Sequence, residues 1–425
     1  MPFRLASASR FPHPVVFLVL ILPFGVMGGY LAVTIVYLLT QAGVAVDESA
    51  ALVALSYIPH SWKFLWAPLA DTTLSRRTWY VLSTVVSALG IYATGAVSAT
   101  AASMSLLIAV VLISNVGVTF LAMSVESLMA YGSTEEAKGR AGGWFQAGNL
   151  GGFGLGGGAG LWMAQNFDAP WIAGAVLAAV SVACCGALVC VTEPQRIARE
   201  EKYLRMLAEV GRDLWTVARS RRGYLGLLIC FLPISTGAAS NLWSAVAGDW
   251  HASAETVALV TGVLSGIVSA AGCLVGGYLC DHIDRKAAYV LFGALMAGCA
   301  VAMALAPRTE TMYTTFTLLY GFINGLAYAG FSAVVLEAIG LGAAATKYTV
   351  FAALSNMPIG YMTAVDGWAA ARLGVGGMLY VEAAIGALAL LLFIAVARVS
   401  ARSPTRAGPA EVMAASSTNA GDAQR

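Results

Sequence analysis

Charge is what this chain has least of. Of its 425 residues only 11% are Asp, Glu, Lys or Arg, while 59% are apolar. An average soluble protein is nearer half apolar and a quarter charged. So few ionic groups cannot cover a water-exposed surface of this size, which leaves lipid as the solvent. Histidine is scarcer still, with four scattered copies. There is no His-Glu-x-x-His, no Cys/His cluster and no Gly-x-Ser-x-Gly, so the chain is expected to be no enzyme and to hold no metal and no cofactor. Seven cysteines all fall in or beside apolar runs, which gives no disulfide framework. A net charge of +2 leaves no footprint for nucleic acid. No phosphate-binding loop is present either: the glycine run 151–160 lacks a following Gly-Lys-Ser/Thr and reads as a helix-packing face.

What remains is a succession of apolar stretches, each long enough to cross a bilayer with about 20 residues. They fall at 15–40, 49–70, 79–98, 104–131, 141–165 and 171–192, then 223–246, 255–279, 287–306, 312–339, 348–373 and 378–398. The first follows Arg4 and Arg10 but is about twice as long as a signal-peptide core, so it reads as a retained helix. If both termini face the cytoplasm, 21 basic residues lie on that side and only Arg308 and Arg372 on the other. The positive-inside rule therefore predicts twelve helices with both ends inside. The implied organisation is a six-helix half (1–192), a basic linker (193–222), a second six-helix half (223–399) and a Ser/Ala/Pro/Gly-rich disordered tail (400–425). In the linker, Ile197, Leu204, Leu207, Val210, Leu214 and Val217 recur at helical spacing, as in an amphipathic helix along the membrane face.

The halves repeat one another. Asp71 and Asp281 are 210 residues apart, Glu126 and Glu337 are 211 apart, and Asn149 and Asn356 are 207 apart. Two six-helix repeats joined by a basic linker resemble the major facilitator superfamily. That resemblance implies a substrate site between the halves near the midplane, with access alternated by rocking. The segment Gly277-Tyr-Leu-Cys-Asp281-His-Ile-Asp284-Arg285-Lys286 is similar to the superfamily's loop signature G-x-x-x-D-x-x-x-R-K. The first-half copy keeps Asp71, Arg76 and Arg77 but lacks the leading glycine.

A narrower resemblance lies in helix 2, where Pro59-His60-Ser61-Trp62-Lys63-Phe64-Leu65-Trp66-Ala67-Pro68-Leu69-Ala70-Asp71 is similar to the same helix of AmpG-type muropeptide permeases and acetyl-CoA transporters. Val125-Glu126-Ser127-Leu128 and Thr134–Arg140 resemble that branch's helix 4–5 junction. Such permeases carry aspartates in the body of helix 4, whereas residues 118–124 here contain no acid. The resemblance implies a monomeric, proton-coupled importer of a small polar or anionic solute in a bacterial-type inner membrane. The other readings are an exporter on the same fold and a non-transporting membrane receptor.

Ionisable groups within spans are costly and therefore candidates for function. Lys63 lies about 12 Å from the inner end of its helix, deeper than a lysine stem comfortably snorkels. It either binds an anionic group or pairs with an acid on another helix. His60, one turn away, suits a proton relay or a buried neutral hydrogen bond. Glu126 and Glu337 sit near the inner helix ends, as gate partners for Arg76, Lys138 and Arg140 or for Arg285, Lys286 and Lys347; Asp71 and Asp281 join them. Asp366 and Glu382, toward the outer ends of helices 11 and 12 near Arg372, read as an outer structural pair. In the superfamily helices 1, 4, 7 and 10 line the cavity, which by resemblance adds Tyr30, Thr34, Asn115, Thr119, Asn241, Trp243, Asn324 and Tyr328 as hydrogen-bonding and stacking candidates.

Overall fold

The computed structural model describes residues 13–131, 138–169, 171–191, 193, 219–339 and 350–402, with 205, 208, 211, 212, 215 and 216 in the linker. Among them the secondary structure is helical and no strand occurs. A backbone in lipid must satisfy its own N–H and C=O groups, and these long apolar segments do so as helices.

The first half comprises α1 (Val15–Gln41), α2 in two pieces (Val46–Trp62 and Ala67–Thr72), α3 (Arg76–Ala96), α4 (Met104–Tyr131), α5 (Lys138–Gly154, continuing through a π turn to Asn166) and α6 (Trp171–Cys190). The second comprises α7 (Arg221–Phe231, then short turns to Trp250), α8 (Ala254–His282), α9 (Arg285–Leu305) and α10 (Glu310–Ile339). Its last helix, Asn356–Arg402, is broken at Gly374 into α11 (356–373) and α12 (375–402). Gly374 has φ 72°, the left-handed region in which glycine carries no Cβ penalty.

This architecture agrees with the twelve expected spans, although length and hydropathy alone mark eight uninterrupted ones. The difference has local causes. α11 and α12 run together across their kink, α2 and α7 are interrupted by a 3-10 turn and an unwound stretch, and α5 is too rich in glycine and polar residues to reach the hydropathy of the others. Of the linker, Arg205, Arg212, Trp215 and Arg219 are exposed, with the Arg219 guanidinium 4.7 Å from the Trp215 ring; all six residues of the expected amphipathic stripe lie outside the described residues.

Small residues set the helix spacing. A Cβ on Gly25 of α1 would collide with the Asn149 carbonyl of α5, and one on Gly156 with the Val26 carbonyl of α1. Backbone-to-backbone contact of this kind is how helices associate in lipid, where apolar burial gives no drive. Large apolar side chains face outward in compensation, among them Ile113, Leu274 and Leu388, each more than half exposed.

The bundle has one basic end, carrying Arg76, Arg77, Arg285 and Lys286, and one lightly charged end at Gly43 and Gly374. At the lightly charged end the halves are closely joined. Ser244 Oγ donates to the Ala32 carbonyl at 2.7 Å, linking α7 to α1. Gly367 of α11 packs on Ala50 and Asp47 of α2, and Gly262 of α8 packs on the Gly158 backbone of α5. One apolar cluster there draws on Val33, Tyr37, Ala50 and Leu161 from the first half and Trp243, Trp250, Tyr313 and Met378 from the second.

Candidate functional site

Two walls face each other across the middle of the bundle. The first is built on α2 and α4. Pro59 and Pro68 cannot donate backbone hydrogen bonds, and between them α2 opens into a 3-10 turn at Lys63–Leu65. The turn swings Lys63 toward α4, where its Nζ lies 3.4 Å from Glu126 Oε1. The lysine side chain is 13% exposed and the glutamate 37%, so the pair borders open space. His60 Nε2 and Asn115 Oδ1 are 3.0 Å apart. Since Asn115 Nδ2 already donates to the Val111 carbonyl at 2.8 Å, its oxygen accepts and His60 carries hydrogen on Nε2. Trp66 Nε1 donates to Thr119 Oγ1 at 3.0 Å. Lys63, His60, Asn115 and Thr119 therefore form one polar ladder between α2 and α4.

The second wall belongs to α7, α10 and α11. Here α7 is unwound: Ser235 has φ 50° and Gly237 φ 70°. A Cβ at Gly237 would meet the Asn324 amide of α10 within 3 Å, so both the backbone angle and the close approach require glycine there. A small open cavity lies against this break, lined entirely by second-half residues, among them Ser235, Thr236, Tyr328, Phe331, Ser355 and Pro358. Tyr328 is half-exposed into it.

Tyr57 of α2 joins the walls. Its hydroxyl donates to Asn241 Oδ1 of α7 at 3.3 Å, and its ring lies 6.3 Å from that of His60. Asn241 Nδ2 in turn donates to Thr363 Oγ1 of α11 at 2.9 Å. Tyr57, Trp66, Thr363, Ser235 and Thr236 were not anticipated as site residues. Trp66 stands within the helix-2 motif and Tyr57 two residues before it; Pro233 and Gly237 signal the unwinding of α7, whereas no spacing signal marks Thr363.

Other expectations fall elsewhere. Tyr30 is buried and packs on Gly95 and Gly174 of α3 and α6, and Thr34 Oγ1 donates to the Gly156 and Gly157 carbonyls of α5 at 3.0 and 3.1 Å. Both serve helix packing, because α1 turns that face toward its own half. Trp243 is buried edge-on to Tyr320 at 5.2 Å, away from the open cavity. Asp366 and Glu382 do not form an outer structural pair with Arg372: Arg372 is exposed, Asp366 is fully buried and both Asp366 oxygens lack a hydrogen-bond partner among the described residues.

The gate residues divide similarly. Glu126 takes Lys63 as its partner, while Arg76 engages the neighbouring Ser127 and the end of α6. The Arg76 guanidinium donates to Ser127 Oγ and its backbone N–H to Glu193 Oε1 at 2.6 Å, while Arg77 donates to the Val191 carbonyl. Asp281 and Arg285 are exposed, Lys286 is half-buried, and Asp284 caps α9 by accepting from the Ala287 N–H at 2.9 Å. Asp71, Arg140 and Glu337 lie on helices, but their side chains, with that of Lys138 and all of Lys347, are outside the described residues.

Comparison with known proteins agrees with this architecture. Residues 15–364 match the Major Facilitator Superfamily. Among solved structures, the nucleoside transporter NupG superposes with TM-score 0.69 at 13% identity, covering 90% of this chain and 98% of NupG. A D-xylose–proton symporter gives 0.66 at 15% identity, over 89% and 96% of the chains. A bacterial homolog of the human lysosomal transporter Spinster, inward-facing and unoccupied, gives 0.68 at 12% identity, over 94% and 100%. No curated protein sequence matches the chain. At such identities the superpositions speak for the fold alone, and it is the family match over most of the length that classifies the sequence: this chain belongs to the Major Facilitator Superfamily.

Proposed function

We propose that the protein is a secondary active transporter that brings a small polar or anionic solute into the cell together with protons, by alternating access, in the manner that the AmpG-type resemblance implies. The basic end of the bundle is taken as cytoplasmic in this reading, in an inner membrane of bacterial type, and the chain works as a monomer. The observation that carries it is the Lys63–Glu126 pair, 3.4 Å apart and partly exposed, at the interruption of α2. A lysine whose partner is itself one-third exposed is held loosely enough to exchange that partner. A substrate carboxylate or phosphate reaching Lys63 replaces Glu126, and the released glutamate faces solvent. Joining of the halves at the lightly charged end supports a cleft that opens toward the basic end.

The test is uptake by proteoliposomes under an imposed pH gradient, screened over muropeptides, siderophores and acyl-CoA. Accumulation of one of these that collapses with a protonophore supports the reading. Equal uptake with and without the gradient, or efflux against it, removes proton-coupled import.

A further inference from the structure

A second ionisable cluster lies in the other half, and the cleft chemistry does not use it. Asp366 on α11 and Glu382 on α12 each stand eight residues from the kink at Gly374, which puts both about 12 Å below the turn on adjacent antiparallel helices. Asp366 is 0% exposed and Glu382 7%. Glu382 Oε1 accepts from the Tyr320 hydroxyl of α10. Asp366 Oδ1 and Oδ2 and Glu382 Oε2 have no hydrogen-bond partner among the described residues. Nor does the Nε1 of Trp243, a 1% exposed side chain whose ring lies against Tyr320.

The titratable groups that act on the cluster are Tyr320 from α10, Cys299 from α9 and the two acids themselves, while α7 presents the Ala239 amide to Glu382. From α2, Asp47 approaches α11 at Gly367, but it accepts from the Glu48 N–H. Arg308 is turned onto the Trp250 ring at 4.1 Å and Arg372 is exposed. Among the described residues no basic side chain pairs with these two buried carboxylates, and two such groups disfavour ionising together.

Glu382, though not Asp366, borders a small void that Ser235, Thr236, Met296 and Gly293 also line. Ser235 and Thr236 also line the larger second-half cavity, so the break in α7 stands between that cavity and Glu382. The same stretch of α7 carries Asn241, which ties Thr363, one turn before Asp366, to Tyr57 of the opposite half.

The geometry points to the Asp366–Glu382–Tyr320 cluster as the site where the transported proton is held, with unwound α7 relaying its occupancy to the contact between the halves. The inference rests on the proton-coupled reading above and locates its ion. A proton from cavity water binds one carboxylate oxygen, the halves rock, and the same proton leaves to the other aqueous phase; no other bond changes. Occupancy alters the charge facing the Ala239 amide and so the tension on the Asn241 bonds.

The site is testable without a known substrate, by pH-difference infrared spectroscopy on the full chain in lipid, following the carbonyl stretch of buried carboxylic acid. The wild type should show such a band that titrates, Glu382→Gln and Asp366→Asn should each remove or displace it, and Lys63→Gln should leave it in place. Tyr320→Phe keeps both acids and should move the titration midpoint by about one pH unit. An unchanged band in both acid variants overturns the inference. So does loss of the wild-type band on replacing choline chloride by sodium chloride at constant pH, which would mark a sodium site. Failure of the coupled reading looks different: the band persists while no pH gradient drives uptake. Proton-driven uptake undiminished in folded Glu382→Gln would instead reject this site alone.

Discussion

The two halves hold their buried charge in opposite ways. In the first, Lys63 and Glu126 are of opposite sign, paired and partly open to the cleft. In the second, Asp366 and Glu382 share a sign, sit out of solvent and leave three oxygens without partners among the described residues. An open opposite-sign pair can trade one member for an incoming ion at small cost. A closed same-sign pair changes its charge by taking or losing a proton, because among the described residues no basic side chain pairs with it. The proposed reading therefore puts substrate chemistry on α2 and α4 and proton chemistry on α11 and α12, with α7 touching α2 and α11 through Asn241.

The largest expected effect that would sharpen this contrast is on stability. Asp366→Leu removes a buried carboxyl with unsatisfied oxygens and should raise resistance to unfolding by about 1–3 kcal/mol. Lys63→Leu, at a partly exposed pair, should change it by less than about 1 kcal/mol. Thermal or denaturant unfolding of both purified variants checks this, and the opposite ranking breaks the comparison.

Next comes affinity. Lys63→Gln should weaken binding of an anionic substrate by more than about tenfold, on the order of 1.4 kcal/mol. Lys63→Arg should keep part of it, since charge survives while geometry changes. Calorimetric titration of wild type and variants decides; an unchanged dissociation constant in Lys63→Gln would leave this lysine a helix-bridging charge. Smaller and of the other sign is Glu126→Gln. It removes the competitor for Lys63 and should tighten anion binding by a few-fold, within the about 0.2–1 kcal/mol typical of such pairs. The least effect is that of salt: screening over about 10 Å at 0.1 M should weaken substrate binding at the cleft more than it moves the titration of the buried acids.

Much of this was legible before any coordinates. Apolar run length and the one-sided placement of Lys and Arg gave twelve helices, because both report directly on lipid as solvent. Lys63 and His60 stood out as costly groups in a span, and pairing with an acid was one of the two readings kept for Lys63. What escaped the sequence depends on which face of a helix turns inward. Tyr30 and Thr34 are on a cavity-lining helix by family analogy, yet α1 presents them to α3, α5 and α6. Asp366 and Glu382 looked like neighbours of Arg372, and only the direction of the α11–α12 kink separates them from it. The unwinding of α7 follows Pro233, a break signal that the reading of 223–246 as one span passed over, and Gly237 then packs on Asn324.

The central claim is that substrate and proton cross together, held in opposite halves. It is tested most directly by loading proteoliposomes with a pH-sensitive dye, starting with equal pH on both sides, and adding the substrate identified by the uptake screen outside. The account predicts internal acidification on substrate addition in the wild type and none in Glu382→Gln, although that variant still binds the substrate. Substrate entry without any acidification in the wild type would contradict it.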